Sequence, residues 1–357
     1  MIVNMRVSGQ IPAPLLVWYD GNKRELPWRE QKNAYRTWVS EIMLQQTRVE
    51  TVKPYFARFI HALPDIASLA GCPEDRLLKL WEGLGYYSRV RNMQYAARTV
   101  MEQYNGLLPA SFEELLKLKG IGRYTAGAIA SIAYGLPVPA VDGNVLRVTA
   151  RLADDHSDIM SQTVRLETER ALAGIIPHDR PGDFNQAMMD LGAMVCIPGG
   201  EAHCDACPLS RECLAHRAGT VSSLPFRPPK KKQRIEERTV FVIVEGSHAA
   251  LRKRPDKGLL AGLYELPNTD GHLSQDDAVR YVKDLLLEPL YIERLPDARH
   301  VFSHIEWHMT GYLVRVSSLD KAGKEELLFL SRREIRDGFA IPSAFSAYIP
   351  YLKEDNT

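Results

Sequence analysis

Hydrophobic positions recur with helical spacing up to about residue 220. Tyr35, Trp38, Val39, Ile42 and Met43 follow the order i, i+3, i+4, i+7, i+8 and form one face of a helix. Similar segments are separated by short turns marked by Gly or Pro, and none of them shows the alternation of a strand. This part is therefore predicted to be all-α, with further helices around Arg76–Trp81, Arg91–Tyr104, Phe112–Leu118, Thr125–Ala133, Asn144–Leu152, Thr163–Gly174 and Asp183–Val195.

The hydrophobic period changes to two after residue 238. A smaller α+β domain at 239–352 is predicted there, with strands at Thr239–Glu245, Ala249–Arg252, Ile305–Val316 and Leu327–Phe329 and helices at Ser274–Leu286 and Ser331–Asp337. The preceding segment 221–238 is rich in Pro and basic residues and is predicted to link this domain to a helical domain at 8–220. The run Lys230–Lys232 either contacts phosphate or is a solvated part of the linker.

Composition changes this picture little. A chain of 357 residues suggests two or three domains. Lys plus Arg is 45 and Asp plus Glu is 44, so the net charge of +1 argues neither for nor against a polyanionic partner. No apolar stretch approaches the roughly 20 residues that span a bilayer, and Met1–Arg6 is not followed by a secretory apolar region. We expect a cytoplasmic protein without a membrane partner.

Four of the five cysteines share one short segment with the spacing Cys-x7-Cys-x2-Cys-x5-Cys. In a reducing compartment such a group binds metal more often than it forms disulfides. Zinc modules usually pair two Cys-x2-Cys knuckles, so a single knuckle flanked by lone cysteines favours a 4Fe–4S cluster, with zinc as the alternative. The predicted ligands are Cys196, Cys204, Cys207 and Cys213, whereas Cys72 is expected to be an inert thiol.

Two glycines, Gly120 and Gly122, stand one residue apart between two predicted helices. They permit a tight turn with exposed backbone N–H groups at the start of the next helix, where the helix dipole favours an anion such as a DNA phosphate. An ordinary turn is the alternative interpretation, because Gly-x-Gly between helices is common.

Two carboxylates are candidates for chemistry. Asp142 precedes a predicted helix, so it is either an N-cap or a catalytic group, and the N-cap is the commoner role. Glu41 lies at the flank of the apolar stripe formed by its helix. Leu44 lies opposite that stripe, beside Gln45 and Gln46, and is a candidate contact for an unstacked base.

The order of these motifs closely resembles the MutY adenine DNA glycosylases of the helix–hairpin–helix superfamily. A Glu-bearing helix ends in Gln-Gln-Thr, and a helix–hairpin–helix, a Val-Asp-Gly-Asn segment and four cysteines follow. The resemblance covers residues 13 to 218 with high specificity and continues more loosely beyond them. Supporting segments are Leu26–Arg29, Glu50–Val52, Trp81–Arg89 and Phe184–Asn185.

The resemblance implies roles for the residues of the catalytic half. Glu41 is expected to protonate the adenine leaving group, and Asp142 to stabilise or transiently bond the sugar cation, with Asn144 orienting Asp142. Tyr124 stands where related bifunctional enzymes carry a Schiff-base lysine, which implies base removal without lysine-driven strand cleavage. The chemistry requires a raised pKa at Glu41 and an ionised Asp142.

Further residues are expected to contact DNA. The resemblance implies that Arg29, with Glu41, grips the flipped adenine. Gln46 and Tyr86 are expected to fill the duplex around the mispair. The Gly120–Gly122 hairpin is expected to hold phosphate.

The resemblance also implies the fold, which is an all-α helix–hairpin–helix glycosylase core with an iron–sulfur cluster loop at 196–213 and a C-terminal α+β Nudix-like domain. In that domain Phe302, Ser303 and His304 match a loop that reads 8-oxoguanine, although Phe302 has packing as an equal alternative. The Glu-rich Nudix helix expected after Gly262–Pro267 is missing from the sequence, so binding rather than pyrophosphate hydrolysis is expected.

The implied function is base excision repair in the bacterial cytoplasm, associated with the nucleoid. A monomer is expected to bind duplex DNA and remove adenine opposite 8-oxoguanine or guanine. Two alternatives are a bifunctional glycosylase/lyase, which requires lysine at position 124 and no C-terminal recognition domain, and a cluster-bearing DNA-binding protein without catalysis. The first cysteine gap, x7, departs from the family's x6, and Gly199–Gly200 are able to absorb the extra residue.

Overall fold

The computed structural model describes residues 7–199, 201–229, 233–318 and 327–352. Lys230–Lys232, for which a phosphate contact was considered, lie outside the described residues. The helices of the described residues are α1 (Pro12–Asn22), α2 (Ala34–Leu44), α3 (Val49–Ala62), α4 (Ile66–Gly71), α5 (Glu74–Trp81), α6 (Ser88–Gln103), α7 (Phe112–Lys117), α8 (Arg123–Ala128), α9 (Gly143–Ala153), α10 (Gln162–Ala173), α11 (Pro181–Met194), α12 (Leu214–Ala218), α13 (Gln275–Asp284) and α14 (Arg332–Gly338). Helix α8 continues directly into a π-helical turn, Ile129–Ala133.

The described residues divide into two compact units. We call Met1–Gly71 with Arg89–Pro229 the helical unit, and Cys72–Ser88 with Lys230–Thr357 the sheet unit. The prediction assigned 72–88 to the helical domain. This segment groups with the sheet unit because Lys79 Nζ donates to Phe339 O at 3.0 Å and Ile341 N donates to Glu82 Oε1 at 2.9 Å.

The predicted all-α character of the first part is confirmed, since its described residues contain helices and turns but no strand. Each helix predicted from hydrophobic spacing is present, with ends that differ by a few residues. Four helices of this part that the prediction omitted are α1, α3, α4 and α12. Within the described part of the chain no helix combines the length and apolarity that crossing a membrane requires.

The strands of the sheet unit are β1 (Arg234–Glu245), β2 (His248–Lys253), β3 (Tyr264–Glu265), β4 (Asn268–Asp270), β5 (Pro289–Val301), β6 (Ile305–Val316) and β7 (Leu327–Ser331). They form one mixed sheet in the order β3-β2-β1-β6-β5, with β4 paired to β1 and β7 to β2. β1 and β6 are parallel, and β5 and β6 are antiparallel.

Both faces of this sheet are covered, because side chains alternate between two hydrophobic clusters along β1. Val240 and Val242 pack into one cluster, and Phe241 and Ile243 pack into the other. β1 begins at Arg234, inside the segment 221–238 predicted as a linker, since Arg234–Arg238 pair with β6. β5 was not predicted, because most of its side chains are exposed and its alternation is weak.

Candidate active site and cysteine cluster

Helix α2 carries Glu41 into the interior of the helical unit. Asn33 caps the helix by accepting the backbone N–H of Arg36 at 3.1 Å. All residues from Thr37 to Met43 are buried, so this helix is covered on every side rather than on the predicted stripe alone. Glu41 itself is only 5% exposed. Burial raises the pKa of Glu41 to about 7, as its expected role requires, although the Tyr124 hydrogen bond opposes the shift.

Tyr124 lies on α8 and donates its phenolic hydrogen bond to Glu41 Oε2. Burial and the neighbouring charge of Glu41 raise the pKa of Tyr124 well above its ordinary value. The phenol is therefore a fixed hydrogen-bond donor to one oxygen of Glu41 at neutral pH.

Asp142 is the N-cap of α9, as the commoner interpretation of its sequence context predicts. Its Oδ1 accepts the backbone N–H of Val145 at 2.7 Å, and its Oδ2 accepts Asn144 Nδ2 at 2.8 Å. Burial raises the pKa of Asp142, and these two hydrogen bonds oppose the shift by stabilising the charged form. The helix N-terminus therefore offsets the cost of burying this carboxylate only in part.

A buried ion cluster lies beside Glu41. Asp190 on α11 is fully buried and accepts Arg24 Nε at 2.8 Å and both terminal nitrogens of Arg29, at 2.7 and 2.9 Å. Burial acts to raise the pKa of Asp190, but the two guanidinium groups outweigh it and hold the pKa below its ordinary value. One carboxylate thus holds two guanidinium groups, so the cluster carries a net positive charge.

Glu41 and Asp142 line the same cavity of about 910 Å³. The cavity therefore brings together carboxyl groups that are far apart in sequence. Predicted site residues that also line it are Arg29, Leu44, Gln46, Tyr124 and Asn144. The prediction missed Arg24, Gln186 and Met189, which share this lining, and Asp190 behind it. No feature of the sequence distinguishes these residues, because Arg, Gln and Asp occur at many other positions of the chain.

Close backbone approaches set the shape of this cavity. A Cβ at Gly127 would lie 2.2 Å from the carbonyl oxygen of Pro139, so only glycine lets α8 pack against the segment that leads to Asp142. Asn185 Oδ1 accepts Ala140 N at 3.0 Å, and Asn185 Nδ2 donates to Ser131 Oγ at 2.8 Å. The relative position of Tyr124 and Asp142 thus depends on both contacts.

The Gly120–Gly122 turn is present between α7 and α8. Gly120 has a φ of +81°, and a Cβ there would lie 2.7 Å from Asn92 Cβ, so both conformation and space require glycine. Gly122 is the N-cap of α8, with an ordinary negative φ.

The four clustered cysteines surround one small cavity of about 30 Å³ in the helical unit. Burial raises the pKa of the Cys207 thiol to about 11 and also raises the pKa values of Cys204 and Cys213. Among the described residues, no group of three or more His, Cys, Asp or Glu side chains is arranged to hold a metal ion. The four cysteines therefore border one shared space. Cys72 is buried in the other unit.

Hydrogen bonds connect this cysteine segment to Asp142. Arg147 Nε donates to the carbonyl of Cys196 at 2.8 Å, and Arg147 Nη2 donates to Asn144 Oδ1 at 2.9 Å. Arg151 Nη1 lies 3.2 Å from Cys196 Sγ. Asn144 supplies the side-chain hydrogen bond to Asp142, so a shift of Cys196 would be transmitted to the carboxylate through the side chains of Arg147 and Asn144.

The predicted recognition residues lie in the sheet unit. Ser303 and His304 are exposed at the turn between β5 and β6, while Phe302 is half-buried with its ring edge-on to Trp307 at 4.9 Å. Phe302 therefore has the packing role left open by the sequence. The hydroxyl of Tyr86 lies 2.8 Å from Ser303 Oγ within this unit.

Gln46 in the helical unit and Tyr86 in the sheet unit share an unusual backbone conformation, with φ values of 59° and 46°. Positive φ is costly for non-glycine residues and tends to occur at functional positions. Both residues are exposed.

Two family models match the chain. Residues 39–174 match "HhH-GPD superfamily base excision DNA repair protein", and residues 239–350 match "NUDIX domain". The structure also resembles that titled "Structure of a Trapped Endonuclease III-DNA Covalent Intermediate: Estranged-Adenine Complex", with a TM-score of 0.51 and 26% identity over 60% of this chain and 99% of that one. The all-α helix–hairpin–helix core and the C-terminal Nudix domain place the chain among the DNA glycosylases, which are enzymes that hydrolyse N-glycosyl bonds.

Relatives with higher sequence identity than the endonuclease III structure identify the family within the class of DNA glycosylases. The adenine DNA glycosylase of Mus musculus is 37% identical over 86% of this chain and 70% of its own length. That of Buchnera aphidicola subsp. Schizaphis graminum (strain Sg) is 34% identical over 85% of this chain and 87% of its own length. The chain belongs to the adenine DNA glycosylase family, as its sequence motifs predict.

Proposed function

We propose that this chain removes adenine from duplex DNA opposite 8-oxoguanine or guanine, by hydrolysis of the N-glycosidic bond without cutting the strand. One observation carries the proposal: Glu41 and Asp142 line one cavity, and their hydrogen-bond partners differ. One carboxyl group is thereby suited to give a proton and the other to face a cation, which is the division of roles that glycoside cleavage requires.

Glu41 is the proposed general acid. With a pKa of about 7, a large share of Glu41 is protonated at neutral pH. Tyr124 donates to Oε2, which leaves Oε1 to carry the proton toward a nitrogen of the leaving base. Arg29, held by Asp190 on the same wall, favours the negative charge that develops on the departing base.

Asp142 is the proposed partner of the sugar cation. The Val145 N–H and the Asn144 amide hold both of its oxygens, so the charged form keeps one orientation. As the glycosidic bond breaks, positive charge on the sugar stabilises the ionised carboxylate further. Water then adds to the sugar, so that a bond between sugar and oxygen replaces the bond between sugar and base. The proton that the water releases goes to the Glu41 carboxylate left by the first step, which restores the acid.

Hydrolysis without strand cleavage is proposed because the residues that line the cavity include no lysine among those the structure describes. Lyase chemistry of the Schiff-base kind needs an amine nucleophile. Tyr124 cannot replace it, since its raised pKa keeps the phenol protonated and its hydrogen bond is committed to Glu41.

The DNA contacts follow from the requirement that the adenine leave the base stack. Unstacking costs a few kcal/mol and least at a mispair. The exposed, strained Gln46 and Tyr86 are the proposed wedges, and Leu44 is the proposed contact for the flipped base. The Gly120–Gly122 turn is the proposed phosphate contact, which holds register without reading sequence.

Lesion recognition is assigned to Ser303 and His304. Both are exposed and polar, and a serine hydroxyl both donates and accepts, so it can meet the altered edge of 8-oxoguanine. Phe302 supports the turn through its ring.

A 4Fe–4S cluster held by Cys196, Cys204, Cys207 and Cys213 is also proposed. Their side chains border one cavity, and four thiolates in one short segment are the ligand set that such a cluster takes. Arg151 beside Cys196 suits the negative charge that thiolate ligands bring. When bound, the cluster would supply a rigid cross-link between distant parts of this segment.

A duplex assay tests the catalytic proposal. Wild type is expected to convert adenine opposite 8-oxoguanine into an abasic site that alkali, but not the enzyme alone, cleaves. Glu41→Gln keeps the shape but removes the acid, so base removal is expected to fall by at least about a hundredfold. Duplex affinity should remain, and Glu102→Gln, the same exchange at an exposed position of α6, should behave as wild type.

Three outcomes would contradict the proposal. Strand scission without alkali would point to a glycosylase/lyase. Retained turnover in Glu41→Gln would remove Glu41 from the acid role. Binding without any abasic product in wild type would point to a DNA-binding protein that lacks catalysis.

A further inference from the structure

The turn between β5 and β6 is not a typical tight hairpin. Phe302 N donates to Ile305 O at 2.8 Å, so Ser303 and His304 form the two-residue connection. Such connections usually adopt type I′ or II′ turns, which need a positive φ at the first or at both central residues. Neither Ser303 nor His304 has one. The local sequence therefore does not by itself hold this turn in the geometry that matches strand twist.

Support reaches the turn from the start of β1. Gln233, one residue before that strand, donates its Nε2 hydrogen bond to the carbonyl oxygen of Phe302 at 2.6 Å. The next residue, Arg234, donates its backbone N–H to the carbonyl oxygen of His304 at 3.1 Å. The carbonyl groups of Phe302 and His304, the two neighbours of Ser303, are thus bound by two consecutive residues that lie about 70 positions earlier in the chain.

The two supports differ in kind. The Arg234 bond is a backbone bond that continues the parallel pairing of β1 with β6, so any residue other than proline can supply it at that position. The Gln233 bond comes from a side chain, and it needs a donor of the right length. Below the turn, the Phe302 ring is fixed edge-on between His300 at 4.6 Å and the fully buried Trp307 at 4.9 Å.

We propose that Gln233 is a positioning residue that sets lesion selectivity by fixing the turn that carries Ser303. By holding the Phe302 carbonyl, Gln233 fixes the peptide that precedes Ser303 and with it the direction of the Ser303 hydroxyl, whose Oγ lies 2.8 Å from the Tyr86 hydroxyl. The inference rests on the proposed function, in which Ser303 meets the altered guanine. A loosened turn loses the contacts peculiar to 8-oxoguanine and leaves the chemistry at Glu41 untouched.

The experiment compares the full-length protein with four variants. Gln233→Glu is nearly isosteric but cannot donate at neutral pH, and Gln233→Lys restores a donor of similar reach. Gln275→Glu makes the first exchange at an exposed position of α13 in the same unit. Ser303→Ala removes the reading group itself. Single-turnover rates of adenine removal are measured opposite 8-oxoguanine and opposite guanine, together with thermal unfolding of each variant.

The rate ratio of 8-oxoguanine over guanine is expected to fall about fivefold in Gln233→Glu, the size expected for one lost hydrogen bond. The rate opposite guanine and the unfolding temperature should stay close to wild type. Gln233→Lys should recover most of the ratio, and Gln275→Glu should keep all of it.

Equal losses on both substrates, or a ratio that stays low in Gln233→Lys, would overturn the positioning role. An unchanged ratio in Gln233→Glu beside a collapsed ratio in Ser303→Ala would overturn that role alone. If Ser303→Ala leaves the ratio unchanged, the proposed lesion reading fails, and the role of Gln233 fails with it.

Discussion

At the scale of single residues, the two carboxyl groups of the cavity differ in what surrounds them. Glu41 is held by one neutral phenol, whereas Asp142 accepts a backbone N–H and an amide. Burial raises the pKa of both, but the donors at Asp142 favour its charged form. The two carboxyl groups are therefore suited to the opposite chemical roles proposed for them, and their hydrogen-bond partners account for the difference.

These surroundings predict a pH dependence of catalysis. The rate of adenine removal under single-turnover conditions should decline above pH of about 7, approaching a tenfold loss per unit, because Glu41 must be protonated. At low pH the rate should fall again as Asp142 becomes protonated, and that limb should lie higher than for an ordinary aspartate. Rates that stay constant from about pH 6 to about pH 9 would contradict the assignment of Glu41 as the acid.

Glu41 should also make stability depend on pH. Its folded-state pKa of about 7 exceeds the ordinary 4.5, so its favourable contribution is present below pH 4.5 and is lost as pH rises through 7. Glu41→Gln lacks this pH-dependent contribution to stability. The free energy of unfolding of the variant relative to wild type should therefore increase by roughly 2 kcal/mol between pH 5 and 8.

Urea unfolding at several pH values measures this difference. Glu102→Gln is the control, because its exposed side chain should give curves parallel to wild type. Parallel curves for Glu41→Gln as well would mean that the buried carboxyl is not held in its protonated form.

At the scale of elements, α8 packs against the segment before Asp142 through close contacts that only a glycine, which has no side chain, permits. Gly127 faces the backbone of Pro139, and Asn185 ties Ala140 to the π-helical turn. Gly192 on α11 likewise leaves room for Asn144, whose Cβ would lie 2.7 Å from an added Cβ. The cavity is thus framed by close backbone contacts rather than by large side chains.

Gly127→Ala should therefore destabilise the protein. The added methyl group meets a carbonyl oxygen at 2.2 Å, which cannot move without shifting the segment before Asp142. We expect a loss of about 3 kcal/mol in the free energy of unfolding and a larger loss of activity than of DNA affinity. Gly21→Ala on α1, where nothing lies within 4 Å, should be neutral or slightly stabilising. Similar stability for the two variants would contradict the close approach.

At the scale of the whole molecule, the cysteine segment and the active-site cavity share one hydrogen-bonded path in the helical unit. Cys196 binds Arg147 through its carbonyl, and Arg147 binds Asn144, the partner of Asp142. The proposed cluster would therefore stabilise the orientation of the Asp142 carboxylate, for which a catalytic role is proposed, as well as the fold of its own loop.

Cys207→Ser should lose most of the iron and most of the base-removal activity. Cys72→Ser is the matched control, since that thiol is buried in the other unit and should leave the iron content unchanged. Iron analysis and the duplex assay measure both effects. A Cys207→Ser protein with normal iron content would contradict the ligand set, and normal activity without iron would contradict the connection to Asp142.

Local patterns along the sequence were sufficient for several features. Helical spacing located most helices, alternation located β1, β2, β6 and β7, and the Asp142 context indicated its N-cap. Hairpin glycines and clustered cysteines were likewise readable, because each depends on near neighbours. These features are local consequences of residue type, so the sequence by itself determined them.

Only the tertiary structure decided what depends on distant partners. Asp190 and Arg24 became part of the cavity wall through packing of α11, and segment 72–88 joined the sheet unit through Lys79 and Glu82. The raised pKa of Glu41 comes from burial by other helices. A carboxyl group's hydration and its partners are set by residues far away in the chain, and no local pattern records which of them will meet.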